Sequence, residues 1–377
     1  MKIAVVQDFL RSGGTERQAV LLANAFAGAG HETTLLTFRP GGPLGRTISA
    51  NVPHRSLQPF DLKADWFAPG LRRRLRAMAP EVVLCMGRMA NCYAGGMQAE
   101  LPESIVFATM RTGKPLPDRY LRSLHAVRHI VANSREARTN LIQAYFVDPG
   151  KISIIHNSLV FPADPTDAIE GPPTRARLRE QWGAGPATTV LLSVAMFRPE
   201  KNQRELIELA AGLPAGLDWQ LWLAGDGPER AACTQLAASR GLADRVKFPG
   251  FHANPKPLYF AADVAVHASA SEALSNFLIE AQAHGLPAVA YEAQGIEECF
   301  MPGRTGWMIE RGNRQAFRQE LARLCAALPT VRDRLAEAAR GHARCYFEPR
   351  RQMYAYLDLF SLLLRQPTDR QRMLRPS

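Results

Sequence analysis

Glu272 and Glu280 stand eight positions apart in Ser-Glu-Ala-Leu-Ser-Asn-Phe-Leu-Ile-Glu-Ala-Gln-Ala-His-Gly-Leu-Pro, residues 271–287. The first acid follows an apolar strand-like run, in a loop. The second falls on a short helix that the Gly285-Leu286-Pro287 turn must end. Leu274, Ser275 and Asn276 should open that helix, so its first amides and its dipole can face an anion such as a phosphate. A carboxylate one turn further on accepts two hydrogen bonds, which suits the 2′,3′-diol of a ribose for Glu280. Glu272 can reach sugar hydroxyls or balance positive charge developing at an anomeric carbon. The pattern points to a nucleotide-sugar site, although two acids at this spacing also arise by chance.

Three further segments have residue types suited to the same ligand. Gly13-Gly14 lies between a first strand and a helix N-terminus, where glycines let backbone amides approach an anion. A turn that simply needs glycine is the competing reading. Arg198-Pro199-Glu200-Lys201-Asn202 carries two cations after the first strand of the second half. Arg198 and Lys201 there can hold a diphosphate, or form an ordinary charged loop. Gly225-Asp226-Gly227-Pro228 is a sharp turn in which Asp226 bonds its own backbone or caps the next helix.

The elements that must position these residues alternate between strand and helix. Ile3–Val6, Thr33–Phe38, Val82–Met86, Ser104–Ala108 and Ile130–Ala132 read as strands of one sheet. Val190–Ala195, Gln220–Ala224, Val246–Phe248, Val264–His267 and Ala288–Ala290 read as a second. Apolar runs separated by helical patterns predict parallel sheets. Thr15-x-x-Gln18 predicts a capping box for the first helix. Helices are expected at Lys201–Ala211 and Glu229–Ser239. Residues 161–186, rich in Pro, Asp and Arg, predict a connection between domains with one short helix near Arg175–Trp182.

The chain has 377 residues, more than one ordinary core holds, and hydrophobic and charged fractions of 46% and 21% fit a globular protein. No apolar run reaches the roughly 18 residues needed to cross a bilayer. MKIAVVQDFL reads as a first strand and not as a signal peptide. The six cysteines show no C-x-x-C spacing and read as buried thiols in a reducing compartment. The nine histidines show no metal-binding spacing, and His267 reads as core packing.

The net charge of +11 is uneven. Residues 1–160 hold 20 Lys+Arg against 11 Asp+Glu, a balance of +9, and residues 161–377 hold 26 against 24. A basic first half suits an anionic partner. Leu71-Arg72-Arg73-Arg74-Leu75-Arg76, with Trp66 and Phe67 nearby, can lie on an anionic membrane or be a solvated helix.

Taken together, the ordered motifs resemble the retaining glycosyltransferases of GT-B family 4 over nearly the whole chain. The motifs are Gly-Gly-x-Glu-Arg at 13–17, Pro-Glu-Lys at 199–201, Gly-Asp-Gly-Pro at 225–228, E-x7-E at 272–280, Gly-x-x-Glu at 295–298 and Thr305-Gly306. The resemblance implies two Rossmann-like α/β domains facing each other across a cleft. Their expected bounds are an acceptor-binding domain at 1–165, a connection at 166–187 and a donor-binding domain at 188–344. A helix at 345–364 returns to the first domain, and a basic tail follows at 365–377.

The resemblance also implies roles. Lys201 binds the donor diphosphate, Glu280 the ribose, and Glu272 contacts the transferred sugar. Gly13 and Gly14 approach the phosphate and acceptor, and Phe251 borders the base. Three positions depart from the pattern. Met196 stands where an arginine is expected, with Arg198 two residues on as its replacement. Arg111 stands where many members have a histidine, and is read either as an anionic-acceptor contact or as a structural ion pair. Gln294-Gly295 replaces Gly-Gly.

The expected function is transfer of a hexosyl-type sugar from a nucleoside diphosphate, with UDP ahead of GDP, to a hydroxyl of a cell-envelope glycan or glycolipid. No metal or cofactor and no nucleic acid is expected. The expected location is the cytoplasm, with peripheral contact on the inner face of the membrane. A nucleotide-sugar epimerase of the same fold and a basic nucleic-acid-binding protein are the alternatives.

Overall fold

In the first strand, Ile3 and Val5 point to one face and Ala4 and Val6 to the other, and all four are fully buried. A strand buried on both faces needs layers on both sides, which is why it reads as a continuous apolar run. The computed structural model describes residues 1–164 and 167–366. The chain divides into two units, residues 1–160 with 349–377, and residues 161–348.

The first unit holds a seven-stranded parallel sheet. Its strands are β1 (Lys2–Gln7), β2 (Glu32–Thr37), β3 (His54–Ser56), β4 (Val82–Cys85), β5 (Ile105–Met110), β6 (His129–Ala132) and β7 (Ile152–Ile154). They run in the order β3-β2-β1-β4-β5-β6-β7. The chain therefore leaves β1 toward one edge and returns beside it as β4. That reversal point is where open α/β sheets place ligands, beyond the carboxyl ends of the strands. β3 is too short and too polar, and β7 too short, to stand out in the sequence.

The capping box does not form. The first helix, Gly14–Gly28, starts with Gly13 as its N-cap and has no side-chain cap. Gln18 points inward instead: its amide donates to the Ser158 carbonyl at 2.7 Å, and its oxygen accepts from Gln352 at 2.9 Å. Gln352 lies on the last helix, which begins at Pro349 and ends at Leu364. Cys345 and Tyr346 belong to the preceding helix, Pro329–Tyr346. On the last helix Phe360 packs edge-on to Phe26 at 5.7 Å and lies 4.8 Å from Phe107. Burying each such ring is worth about 1.5–3 kcal/mol, enough to hold the chain end on the first sheet.

The second unit holds a six-stranded parallel sheet in the order β10-β9-β8-β11-β12-β13. Its strands are β8 (Thr189–Val194), β9 (Trp219–Ala224), β10 (Val246–Gly250), β11 (Val264–His267), β12 (Ala288–Tyr291) and β13 (Gly306–Ile309). Here the reversal lies between β8 and β11. The helix expected near Arg175–Trp182 is longer, Asp167–Gln181, and runs through Pro172 and Pro173. Tertiary bonds hold it: Arg175 donates to the carbonyls of Phe260 and Ala262 at 3.0 Å, and Arg179 to that of Ala261 at 3.0 Å.

Of the thiols, Cys92 is half-buried and Cys345 exposed, so burial holds for four of the six. Within the expected connection, residue 166 lies outside the described residues, as do residues 367–377 of the expected basic tail. Among the described residues no helix is long and apolar enough to cross a membrane.

Candidate functional site

In the second unit, the site residues read from the sequence stand in loops at the carboxyl ends of the strands or, like Glu280, on the helix that follows. Arg198 and Lys201 follow β8, Phe251 follows β10, and Glu272 to Asn276 follow β11. Lys201 closes a short 3-10 turn, Pro199–Lys201, so the helix expected from Lys201 begins only at Gln203. Asn202 between them adopts φ 53°, a left-handed conformation that asparagine tolerates. The turn is tied to the neighbouring loop, because the Glu200 carbonyl accepts the Ala270 amide at 2.7 Å.

That tie brings Lys201 to Glu272. The Lys201 ammonium donates directly to Glu272 Oε1, and His267 Nε2 lies 3.1 Å from the same oxygen. The Glu272 side chain is only 13% exposed. Burial alone would raise its carboxyl. The charge of Lys201 and the hydrogen bond from His267 outweigh that and hold it at about 2. Facing this carboxylate, His267 Nε2 carries the proton and donates. Sequence reading placed His267 in the core and missed this role. The available signal was its position as the last residue of β11, at the strand end where ligand sites form.

Ser275 caps the helix Asn276–Ala283, its hydroxyl accepting the Leu278 amide at 3.4 Å. Leu274 is buried, Asn276 partly exposed. Glu280, one turn along, is 5% exposed and accepts from the Tyr259 hydroxyl at 2.8 Å.

Glycines set the backbone beneath these loops. Gly295 has φ +71°, and a Cβ on it would meet the Ala273 carbonyl oxygen at 2.0 Å. Cys299, behind it, donates to the Gly295 carbonyl at 3.3 Å. Residues 295–299 thus form a floor for the Glu272 loop, whichever residue occupies position 294. Gly225 plays the same part for the loop after β8, with φ +138° and a virtual Cβ 1.9 Å from the Ala195 carbonyl oxygen. Phe197 donates to the Asp226 carbonyl at 2.9 Å. The Asp226 side chain accepts the adjacent Gly227 amide at 2.8 Å and does not cap the helix that follows. This packing leaves Met196 40% exposed at the loop's tip and Arg198 partly exposed beside it. Phe251 is exposed, just past Gly250, whose carbonyl accepts the Gly225 amide at 2.8 Å.

The remaining sequence-read residues belong to the first unit. Gly13 and Gly14 follow β1, at the reversal point of that sheet; Gly13 has ordinary extended backbone, φ −75°. Arg111 follows β5 and is engaged within its own unit, donating to Asn157 Oδ1 at 2.5 Å and to the Tyr356 hydroxyl at 2.7 Å. Also at this reversal point, Asp8 accepts the Met89 and Ala90 amides at 2.9 and 2.6 Å and so caps the helix Arg88–Glu100. Sequence reading overlooked Asp8. Among the described residues no cluster of three or more His, Cys, Asp and Glu side chains could hold a metal ion.

Two family models match the chain. The one described as Glycosyltransferase Family 4 matches residues 12–159, and the one described as Glycosyl transferases group 1 matches residues 174–342. The chain belongs to the family 4 glycosyltransferases of the GT-B fold. A lipopolysaccharide core biosynthesis glycosyltransferase, LpsE of Rhizobium meliloti, is 27% identical over 94% of this chain and 97% of its own length. Among solved structures, HepE of Anabaena in complex with UDP aligns with a TM-score of 0.81 at 20% identity, over 96% of this chain and 100% of that one. Its complex with UDP-glucose aligns at 0.79 with the same identity and coverage. This family 4 assignment sets aside the epimerase and nucleic-acid-binding alternatives.

Proposed function

We propose that this glycosyltransferase moves a hexosyl-type sugar from a UDP-sugar to a hydroxyl of a cell-envelope glycan or glycolipid, with retention at the anomeric carbon. The observation that carries the proposal is the Lys201–Glu272–His267 cluster at the reversal point between β8 and β11. It sets a cation where a diphosphate would leave and an anion where the sugar would sit.

The protonation state of Glu272 narrows its role. A carboxyl held at about 2 is ionised throughout the neutral range, so it is no general acid, and it is too weak a base to take a proton from a hydroxyl. What it offers is a fixed negative charge. That charge can accept hydrogen bonds from the sugar hydroxyls and stabilise an anomeric carbon as it becomes cationic. Lys201 has three donors, so it can stay on Glu272 while meeting a phosphate oxygen. Arg198 supplies a second cation in place of the arginine missing at Met196. The amides of Leu274 to Asn276, at the start of a helix, add positive potential for the phosphates. Glu280 receives the ribose diol, its position set by Tyr259. Gly13 and Gly14, beyond the carboxyl end of β1, offer an anion contact within the first unit, and Phe251 borders the base.

These side chains and amides supply the charge that neutralises the leaving diphosphate, so the proposal includes no metal or other cofactor. UDP as carrier and the envelope acceptor rest on the relatives: HepE crystallised with UDP and UDP-glucose, and LpsE named for lipopolysaccharide core biosynthesis. Arg111, engaged by Asn157 and Tyr356, is proposed to shape the acceptor side rather than to bind an anion outright.

A turnover screen across UDP- and GDP-sugars, followed by NMR of the product anomer, tests this reading. Turnover with a UDP-sugar and an axial linkage retained from the donor is the expected result. An inverted product would overturn retention, and selective use of GDP-sugars would overturn the choice of base.

A further inference from the structure

Four of the thirteen large hydrophobic side chains exposed among the described residues fall within residues 60–67: Phe60, Leu62, Trp66 and Phe67. Phe60 and Trp66 are 65% and 64% exposed. Scattered apolar exposure is ordinary, but this concentration on one short loop marks an interaction surface.

The loop is built to hold those tips outward. Gln58, fully buried beneath it, donates to the carbonyls of Ala64 at 2.8 Å and Phe67 at 2.7 Å, which ties its two ends together. Arg39 forms a two-pronged pair with Asp61 at 2.7 and 2.9 Å and reaches Asp65 at 2.7 Å. Arg11 grips Asp65 through both oxygens at 2.8 and 2.6 Å. The loop's two carboxylates are therefore neutralised from below, and the apolar tips remain.

A basic helix lies beside it. In Leu71–Met78, Leu71 and Leu75 are buried while Arg72, Arg73, Arg74 and Arg76 are exposed. Loop and helix are anchored on one stripe of the helix Arg88–Glu100. Tyr93 donates to the Trp66 carbonyl at 2.5 Å, and Arg72 bonds Glu100 at 2.5 Å. Seven residues apart, Tyr93 and Glu100 share a helix face about 10 Å along its axis. Among the described residues no ion pair engages Arg73 or Arg74.

From this juxtaposition we infer that the loop 58–67 and the helix Leu71–Met78 form a docking surface for an anionic bilayer. The aromatic tips enter the headgroup region, where amphipathic rings are favoured. The arginines bury their stems beside them and meet lipid phosphates. Pairing Asp61 and Asp65 with Arg39 and Arg11 offsets the negative charge that an anionic surface would repel. The proposal extends the glycolipid part of the functional reading and is independent of the donor chemistry, so lipid binding and UDP binding can fail separately.

The test is co-sedimentation of the full chain with vesicles of phosphatidylcholine containing phosphatidylglycerol, against phosphatidylcholine alone. Wild type should sediment only with the anionic vesicles, and less as salt rises. Phe60→Ser with Trp66→Ser, and separately Arg73→Glu with Arg74→Glu, should each weaken binding at least tenfold. Far-UV circular dichroism and UDP affinity should stay unchanged in both pairs. Absence of sedimentation by wild type would overturn the proposal, as would variants that sediment like it. A wild-type dimer that the Phe60/Trp66 pair dissociates, with vesicle binding intact, would show that the surface serves a second copy instead.

Discussion

Lys201 and Glu272 form an ion pair beyond the carboxyl ends of β8 and β11, the neighbouring strands at which the strand order of the second sheet reverses. They are 71 residues apart in sequence, and each sits in a loop held by its own glycine. Glu272→Ala and Lys201→Ala should each lower kcat/KM for sugar transfer by about a hundredfold or more, the scale of losing one charge-stabilising group. Either variant at wild-type turnover would refute the assigned roles. Circular dichroism should report an intact fold for both.

The hydrogen bond from His267 to Glu272 predicts a pH effect. Glu272 sits at about 2 in the folded chain against an ordinary 4.5. A depressed acid contributes stability that is complete above its unfolded value and is lost as pH falls toward the folded one. The stability gap between wild type and Glu272→Gln should therefore be full above about pH 4.5 and shrink toward pH 2. His267→Leu removes a group that depresses Glu272, so the acid limb of its pH–rate profile should move upward. His267→Gln, which keeps a donor, should move it less. Superimposable profiles for the two variants would dismiss His267 as a positioning residue.

Gly295 and Gly303 share nearly the same left-handed backbone, φ +71° and +69°, but not the same surroundings. A Cβ on Gly303 meets open space, whereas one on Gly295 meets the Ala273 carbonyl. Gly303→Ala should cost about 1 kcal/mol in urea denaturation, from strain alone. Gly295→Ala should cost more and should also raise KM for the donor, because the Glu272 loop must shift. Equal effects of both substitutions on KM would contradict the floor role of residues 295–299.

Met196 and Arg198 test which residue supplies the second cation. Arg198→Ala should weaken UDP binding about tenfold, the scale of one charge-assisted hydrogen bond. Adding Met196→Arg in that background should restore it, since the exposed Met196 site tolerates a long side chain. Calorimetric titration with UDP reads both. Unchanged affinity in Arg198→Ala would leave Lys201 as the cation that matters.

Asp8 predicts the opposite pH trend to Glu272. Burial drives its carboxyl up to about 6, against the lowering pull of the Met89 and Ala90 amides. A raised acid favours the folded state at low pH, and that advantage is lost as pH rises from its ordinary value of 3.8 through about 6. Relative to Asp8→Asn, wild type should lose up to about 3 kcal/mol across that window. Urea midpoints at a series of pH values measure it, and parallel curves would rule it out.

Much of the fold was legible because its information is local. Buried parallel strands need unbroken apolar runs, so β1, β2, β4, β5 and β6 stand out in the first half, as do five of the six strands of the second sheet. The edge strands β3 and β13 and the short β7 escaped notice because half-buried or three-residue segments carry little periodicity. The helix at 167–181 was read short because its prolines are local breakers, while the arginine bonds that sustain it come from residues 260–263.

The sequence by itself determined the order of motifs, the alternation of strands and helices, and the residues with charge or freedom enough to serve a nucleotide sugar. Only the tertiary structure decided how they meet. It joined Lys201 to Glu272, set the buried His267 against the same carboxylate, tied Gln18 to the last helix in place of a capping box, and engaged Arg111 with Tyr356. The reason is physical: propensity and periodicity act over a few residues, whereas the state of a buried charge depends on whatever distant group the fold sets within hydrogen-bond reach.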